Sequence, residues 1–236
     1  MTRKIWPLLA AGLLICSPLA RAEQRAARIA ITPQSENAAI IIKAPLLPVP
    51  PGHRTAYVLN FQVYDPEGQQ MKGSVLGGAF RILARPKLFV DGYLVSDLKP
   101  GTYSILGFMR QDWWTLCYHA ESLQFTAGPG EVLYLGAFDA EHAAGELGRQ
   151  VTSTGKVSTR GTPIDFFDNV APPVFHPIDD AGLAAAADMV RTHMPLTTAI
   201  PKAVMFSPAR FGTGNTLFGD RRCGGYFQAK AKAGSQ

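Results

Sequence analysis

Charged side chains are scarce in this chain. Asp, Glu, Lys and Arg make up 17% of its 236 residues, whereas hydrophobic residues make up 47%. A disordered chain would carry more charge and fewer apolar residues, so this composition excludes one. The 23 glycines and 18 prolines follow no collagen-like period and indicate many turns. The length allows one large domain or two small ones, with a sizeable core.

Motifs that mark common enzyme classes are also missing. The sequence has no GxSxG nucleophile elbow, no P-loop, no dinucleotide-binding glycine pattern and no HExxH zinc motif. After the first 22 residues no stretch approaches 18 uninterrupted apolar residues, so we predict no transmembrane helix in the mature chain. We also predict no cofactor. Any chemistry must therefore be sought in scattered side chains.

The first 22 residues have the three parts of a secretory signal. Thr2–Lys4 is a short positive start, Ile5–Ile15 is an apolar run, and Ala20–Ala22 supplies the small residues of a cleavage site. We therefore expect cleavage after Ala22 and a periplasmic or secreted protein. The alternative is lipidation of Cys16, but the residue before it is a large isoleucine, where a lipoprotein peptidase requires a small one.

Net charge is distributed unevenly along the chain. The whole sequence carries a formal +5, but the signal accounts for Arg3, Lys4 and Arg21, so the mature chain has 20 basic and 18 acidic residues. Residues 23–188 hold 13 basic and 17 acidic side chains, whereas residues 189–236 hold 7 and 1. The basic character therefore lies near the C-terminus. Export and the nearly balanced charge of the mature chain both argue against a nucleic-acid partner.

The section from Ala56 to Phe138 alternates like a set of half-buried strands. Tyr57, Leu59 and Phe61 share one face of the first candidate strand. Turns rich in Gly and Pro separate the candidate strands at short, regular intervals, and Asp91-Gly92 is a hairpin signal. This spacing predicts a mainly β protein with an antiparallel β-sandwich over residues 23–158.

Several elements are predicted outside that section. Ala27–Ile31, Gln150–Thr154 and Lys156–Ser158 are short strand candidates. Asp179 and Asp180 are typical of a helix N-cap and first turn, and the apolar residues at 183, 187, 190 and 194 share a face. We predict this single helix in the mature chain. Together with a basic Gly/aromatic extension, it forms residues 159–236, packed on the sandwich.

Two runs carry a resemblance to known proteins. They are LKPGTYSILGF at Leu98–Phe108 and WWTLCYHAESLQFTAGPGEVLYLG at Trp113–Gly136. In these runs the chain resembles bacterial envelope proteins of unknown function, often lipoproteins, that have a transthyretin-like or carboxypeptidase-regulatory-like β-sandwich. In this pattern Tyr103 points into the core, and Tyr134 and Leu135 occupy opposite faces of one strand. The resemblance implies a fold and an envelope location, but no particular reaction.

The mature chain has two cysteines, Cys117 and Cys223. In an oxidising compartment such a pair often forms a disulfide, which here would join the extension to the central sheet. The first alternative is that both are separate free thiols. The second is a nucleophilic Cys117 with His119 as base, because residues two apart on a strand face the same side.

A wider enzyme hypothesis adds residues that follow a later strand. Asp139, Glu141 and His142 could meet His119 from a neighbouring strand and bind a metal, although their spacing is generic for a solvated loop. A hydrolase or metal-dependent enzyme would then be built around Cys117, His119, Asp139 and His142. This is the alternative function.

The leading hypothesis is a non-enzymatic binding or interaction module. Trp113 and Trp114 could form an exposed aromatic pair, or they could pack against the core. Arg210, Arg221 and Arg222 lie among aromatic residues in the basic extension and suit an anionic partner. The predicted partner is therefore an envelope protein or an anionic envelope component, bound by these five residues.

Overall fold

The computed structural model describes residues 25–72, 79–111, 114–155, 165–215, 221–224 and 227–228. Two β-sheets pack face to face, accompanied by two α-helices, so the predicted mainly β sandwich is confirmed. The predicted secretory signal, including Cys16, lies outside the described residues. So do Trp113 and the strand predicted at Lys156–Ser158. No helix in the described part is long and apolar enough to cross a membrane.

The first sheet has six strands within the described chain. They are β1 (Ala38–Lys43), β5 (Phe89–Val90), β6 (Tyr93–Leu98), β10 (Val132–Phe138), β12 (Phe175–His176) and β13 (Pro201–Ala203). Their order is β12-β10-β1-β6-β5, and β13 also pairs with β10. β10 runs parallel to β1 and to β13, and the other pairings are antiparallel. Parallel pairing is possible here because long connections, not hairpins, join these strands.

The second sheet has eight strands within the described chain. They are β2 (Tyr57–Asp65), β3 (Gln70–Met71), β4 (Ala79–Ala84), β7 (Gly101–Arg110), β8 (Trp114–Cys117), β9 (Ser122–Ala127), β11 (Asp165–Phe167) and β14 (Ser207–Ala209). β2 and β7 are central: β2 pairs with β7, β4 and β3, while β7 pairs with β9 and β8. β11 adds to β8 in parallel, and β14 adds to β9.

The C-terminal half completes the architecture. Helix α1 spans Ala140–Thr154 and helix α2 spans Asp180–His193. A third, small sheet contains β15 (Thr213–Asn215), β16 (Arg221–Cys223) and β17 (Phe227–Gln228). We call residues 207–228 the tail. Beyond residue 158, the described helix α2 therefore packs on the sandwich, and described strands add to both large sheets.

The main core lies between the two large sheets. Alternating residues of β2 point into it, and Tyr57, Leu59 and Phe61 are fully buried there. Tyr103 is also buried, as predicted, and its hydroxyl donates to the Lys99 carbonyl at 2.8 Å. The turn at Asp91-Gly92 joins β5 to β6 as predicted. Positive φ at both turn residues (50° and 80°) matches the twist of such a hairpin.

Neighbouring residues of β10 serve two different cores. Leu135 packs between the sheets, whereas Tyr134 belongs to a second apolar cluster on the outer face of the first sheet. This confirms the prediction that the two side chains occupy opposite faces. Helix α2 covers this outer face with Ala186, Met189 and Val190.

The predicted C-terminal helix is confirmed in position and capping. The Asp179 carboxylate accepts a hydrogen bond from the Gly182 backbone N–H at 2.7 Å, and the helix ends at His193, before Pro195. The centre of its buried face is shifted by one residue from the prediction, because Ala186 is fully buried and Ala187 only partly so. Arg191 in its last turn complements the helix dipole.

Two strand predictions are wrong. Gln150–Thr154 is the last part of helix α1, which the sequence pattern missed. Asp139 caps this helix, and the buried residues of the helix face the main core. This tertiary packing outweighs the loss of helix propensity caused by the two internal glycines. Ala27–Ile31 joins neither large sheet. The Ile31 N–H donates to the Thr197 hydroxyl at 3.2 Å, in the loop after α2.

Candidate functional site

A disulfide joins the tail to the second sheet. Cys117 and Cys223 are bonded at an S–S distance of 2.04 Å, which confirms the predicted pairing. Cys117 lies on the outer face of the second sheet, in a small buried cluster with Tyr64, Met71 and Phe211. The Tyr64 hydroxyl also donates to the Arg210 carbonyl at 2.9 Å. The tail is therefore held by both the covalent bond and local packing.

This bond bears directly on the thiol chemistry. A cysteine in a disulfide has no thiol, so the oxidised protein lacks the nucleophile that the pairing of Cys117 with His119 requires. The main-chain carbonyl of His119 accepts from the Phe211 N–H at 2.9 Å, which places this residue beside the tail.

The remaining members of the enzyme hypothesis lie at the start of α1. The Asp139 carboxylate accepts from the His142 N–H at 2.8 Å and so acts as the helix cap. The other Asp139 oxygen is 3.7 Å from Nε2 of His176. Within the described ranges, no three His, Cys, Asp or Glu residues lie together as a metal site would require.

Two buried phenols do not behave as acid–base groups. Burial raises the pKa of Tyr57 and of Tyr118 far above the ordinary value of 10, and the charge of Glu146 contributes further at Tyr118. The Tyr57 hydroxyl donates to the Pro45 carbonyl at 3.0 Å. These phenols therefore stay protonated and serve the packing of the core.

The predicted aromatic and basic surface residues are distributed over two places. Trp114 is half-buried and packs against the main core, and its indole N–H is buried with no hydrogen-bond partner among the described residues. Arg210 is exposed on the tail, and Arg221 and Arg222 lie in β16 directly before Cys223. Trp114 thus packs against the main core, whereas the Cys117–Cys223 bond that holds β16 lies in the cluster on the outer face, and Trp113 lies outside the described residues.

The structure also assembles a basic cleft that the sequence interpretation did not anticipate. Its volume is about 500 Å³. Its lining in the described part of the chain is Gly52, His53, Arg54, Thr55, Val58, Arg81, Leu83, Arg85 and Met109, none of which is acidic. We name it the basic cleft after its three arginines. It lies on the outer face of the second sheet, the same face that carries Cys117.

Local structure positions the arginines of this cleft. Phe80 and Ile82 of β4 face the main core, so the alternation of the strand turns Arg81 to the outer face. Arg85 follows the strand in extended conformation, and its Nε donates to the buried Thr55 hydroxyl at 2.9 Å. This bond fixes the guanidinium at Thr55, the residue that follows Arg54, and leaves its terminal nitrogens for another acceptor.

The cleft has a strong charge imbalance. Among the described residues, no carboxylate lies within ion-pair distance of Arg54, Arg81 or Arg85. Arginine forks bind carboxylate and phosphate groups through charge-assisted hydrogen bonds. The arrangement can therefore hold an anion without first breaking an ion pair to a described residue.

A second cleft differs in its charges. It has a volume of about 560 Å³ and is lined by Arg25, Arg28 and Asn37, but also by Asp97. Its mixed charge makes it a weaker anion site than the basic cleft.

In the basic cleft, the pairing of β2 with β4 and the path of residues 52–55 bring the three arginines together from distant positions in the sequence. The sequence signal that could have pointed to this cleft was the alternation in β4, which places Arg81 on the opposite face from Phe80 and Ile82.

Comparisons with known proteins give no relative. No protein-family model, no curated protein and no solved structure matches this chain.

Proposed function

We propose that this chain is an exported, non-enzymatic binding module of the cell envelope, and that it holds an anionic envelope component in the basic cleft. The observation that carries the proposal is the convergence of Arg54, Arg81 and Arg85 in one cleft whose described lining residues include no acid. Their shared preference is for phosphate and carboxylate groups.

Two further observations support an envelope location. The first 22 residues have the pattern of a secretory signal. A disulfide across 106 residues is stable mainly in oxidising compartments. The sandwich is compatible with the transthyretin-like envelope proteins that the Leu98–Phe108 and Trp113–Gly136 runs resemble. Cell fractionation should find the cleaved chain outside the cytoplasm, and an uncleaved cytoplasmic chain would contradict this part.

The hydrolase or metal-enzyme alternative lacks comparable support. Its thiol is part of the disulfide, and Asp139 is engaged as the cap of α1. A binding module needs only a surface that complements its ligand, which the basic cleft provides.

Calorimetric titration with inorganic tripolyphosphate tests the binding proposal. The wild-type protein should bind, and Arg54→Gln/Arg81→Gln/Arg85→Gln should weaken binding by about tenfold or more, since each tenfold corresponds to only 1.4 kcal/mol. Raising the salt concentration should also weaken wild-type binding, because solvent-exposed charges are screened.

A charge-matched control separates the cleft from net charge. Lys43→Gln/Lys99→Gln/Arg191→Gln removes three exposed positive charges that lie outside the basic cleft. It should bind tripolyphosphate like the wild type. If this control and the cleft variant lose equal affinity, binding is non-specific and the proposal is wrong.

A further inference from the structure

We infer that the ligand of the basic cleft is an anionic amphiphile, with an acidic head bound by the arginines and a hydrocarbon segment that lies along an apolar row of the same cleft. The apolar row consists of Leu83, Val58 and Met109. This inference rests on the proposed function and adds the chemical class of the ligand.

The first step is that the apolar row is continuous across three strands. Leu83 of β4 is opposite Val58 of β2, and Val58 is opposite Met109 of β7. Residues directly opposite each other project from the same face of a sheet, and all three line the cleft. Neighbouring strands are about 4.8 Å apart, so the row extends over roughly 10 Å. The cleft therefore has an apolar side as well as its arginines.

The second step is that the apolar row serves none of the apolar cores. The chain neighbours Ile82, Leu59 and Phe108 point into the main core, so the row residues turn to the outer face. None of the row residues belongs to any of the three apolar clusters of the described chain. Leu83 is half-buried, and the other two are more deeply buried. Leu83 is therefore the row residue that a ligand reaches most readily.

The third step is the position of the charges relative to the apolar row. Arg81 and Arg85 lie two residues before and two residues after Leu83, so they flank the β4 end of the row. The Thr55 hydroxyl holds Arg85 there. At the other end, β7 contributes only Met109 to the described lining. Positive charge is thus concentrated at the end of the row that a single acidic head would occupy.

The fourth step is the chemistry that satisfies both parts of the cleft. A purely ionic ligand would leave the apolar row in contact with water, and a pure hydrocarbon would make no use of the arginines. Small-molecule sites combine apolar walls with a few polar groups in volumes of about 300–1,000 Å³. The cleft, at about 500 Å³, is of this size. Anionic lipids of an envelope have the matching combination of acidic head and hydrocarbon chain.

Calorimetric titration with alkyl phosphates, below the concentrations at which they form micelles, tests the inference. Octyl phosphate should bind the wild-type protein at least about tenfold more tightly than ethyl phosphate, because each fully buried methylene contributes about fourfold in affinity. Arg54→Gln/Arg81→Gln/Arg85→Gln should weaken the binding of octyl phosphate. Octyl glucoside has the same chain without a charge and should bind more weakly. If it binds as tightly as octyl phosphate, the inference is overturned.

The acidic head can come from a phosphorylated lipid or from a fatty acid. Octanoate and acetate provide the second pair of long and short ligands, and the head that binds more tightly identifies the source. A preference for the long chain with either head supports the inference. Equal affinity for long and short chains with both heads contradicts it.

Substitutions at two leucines locate the hydrocarbon segment. Leu83→Thr removes apolar surface from the row but retains strand propensity, so the preference for the long chain should fall to about threefold or less. Leu83→Met should restore this preference. Leu46→Thr makes the same change at an exposed leucine outside the cleft and should keep the wild-type preference. The ratio of long-chain to short-chain affinity is the readout, so effects on the head cancel.

Two failures have different meanings. If wild-type protein does not bind tripolyphosphate, the proposed function is refuted. If it binds tripolyphosphate but Leu83→Thr keeps the full preference for the long chain, or Leu46→Thr loses it equally, only the further inference is refuted. Should Leu83→Thr not fold, the ligand series on the wild-type protein decides alone.

Discussion

The two large sheets cover their outer faces in different ways. On the first sheet, α2 and the chain around Ile29 and Ile31 bury an apolar cluster of fourteen described residues. On the second sheet, the corresponding cluster has five buried described residues and is supplemented by a disulfide. Another part of that second face forms the basic cleft, which three arginines line.

This difference shows how one fold separates stability from recognition. Burial of apolar area stabilises a surface but removes it from solvent. A covalent bond can hold a tail with little burial, because it acts mainly by restricting the unfolded chain. The second sheet can therefore leave part of its face polar and accessible.

Removal of the disulfide should have the largest effect on stability. In the chain-entropy model, a bond across 106 residues contributes about 4–5 kcal/mol. Urea unfolding of Cys117→Ser/Cys223→Ser should show this loss, and wild-type protein with the bond reduced should behave alike. Amide exchange should accelerate most in the tail and least in α2. A loss below about 1 kcal/mol would mean that packing alone holds the tail.

Truncation of the apolar cover on the first sheet should come next. Met189 is 2% exposed against the outer face, so Met189→Ala should lower the free energy of unfolding by about 2–5 kcal/mol. The neighbouring substitution Asp188→Ala removes an exposed side chain that pairs with Arg191. It should change the free energy of unfolding by less than about 0.5 kcal/mol. Equal effects in thermal or urea unfolding would contradict the assignment of α2 as an apolar cover.

The smallest effect should come from an ion pair at the edge of the first sheet. The Gly128 N–H and the Lys202 ammonium hold the pKa of the Glu131 carboxyl below its ordinary value of 4.5. At pH values above the ordinary pKa, a carboxyl whose pKa is lowered by folding stabilises the folded state. This contribution is lost as the pH falls through the folded-state pKa.

Glu131→Gln should therefore be less stable than wild type at neutral pH by less than about 1 kcal/mol. The difference should disappear at a pH below the folded-state pKa, which urea midpoints measured across the acid range would detect. A difference that persists unchanged at the lowest pH would show that the hydrogen bonds, and not the ionised carboxylate, matter.

Much of the sheet structure was predictable from local pattern. β2 alternates with period two, so its inward residues could be identified from the sequence. Asp91-Gly92 and the Asp179 cap depend on the backbone chemistry of a few neighbouring residues, and both were predicted. The pairing of Cys117 with Cys223 followed from the even cysteine count and expected export.

Helix α1 was missed for a physical reason. It contains Gly145 and Gly148 and ends in β-branched and hydroxyl residues, all of which weaken helix propensity. Its stability comes from burying Ala140, Ala143 and Leu147 in the main core. No local pattern reports how much apolar surface a distant sheet will offer.

The basic cleft could not be predicted from local sequence pattern either. Arg54 precedes β2, whereas Arg81 and Arg85 belong to β4 and the turn after it. Their spacing in the sequence carries no motif, and their charges are diluted in an acidic body. Only the antiparallel pairing of β2 with β4 brings them to one face.

The sequence by itself determined the β class, the positions of the main turns, the capping of α2 and the identity of the disulfide partners. These properties depend on side-chain periodicity, backbone preference and residue count, which are local or compositional. The tertiary structure alone decided the parallel pairings of β10, the helical state of α1 and the meeting of three arginines in one cleft. These depend on contacts between residues far apart in the chain, and such contacts are determined by what the whole fold buries.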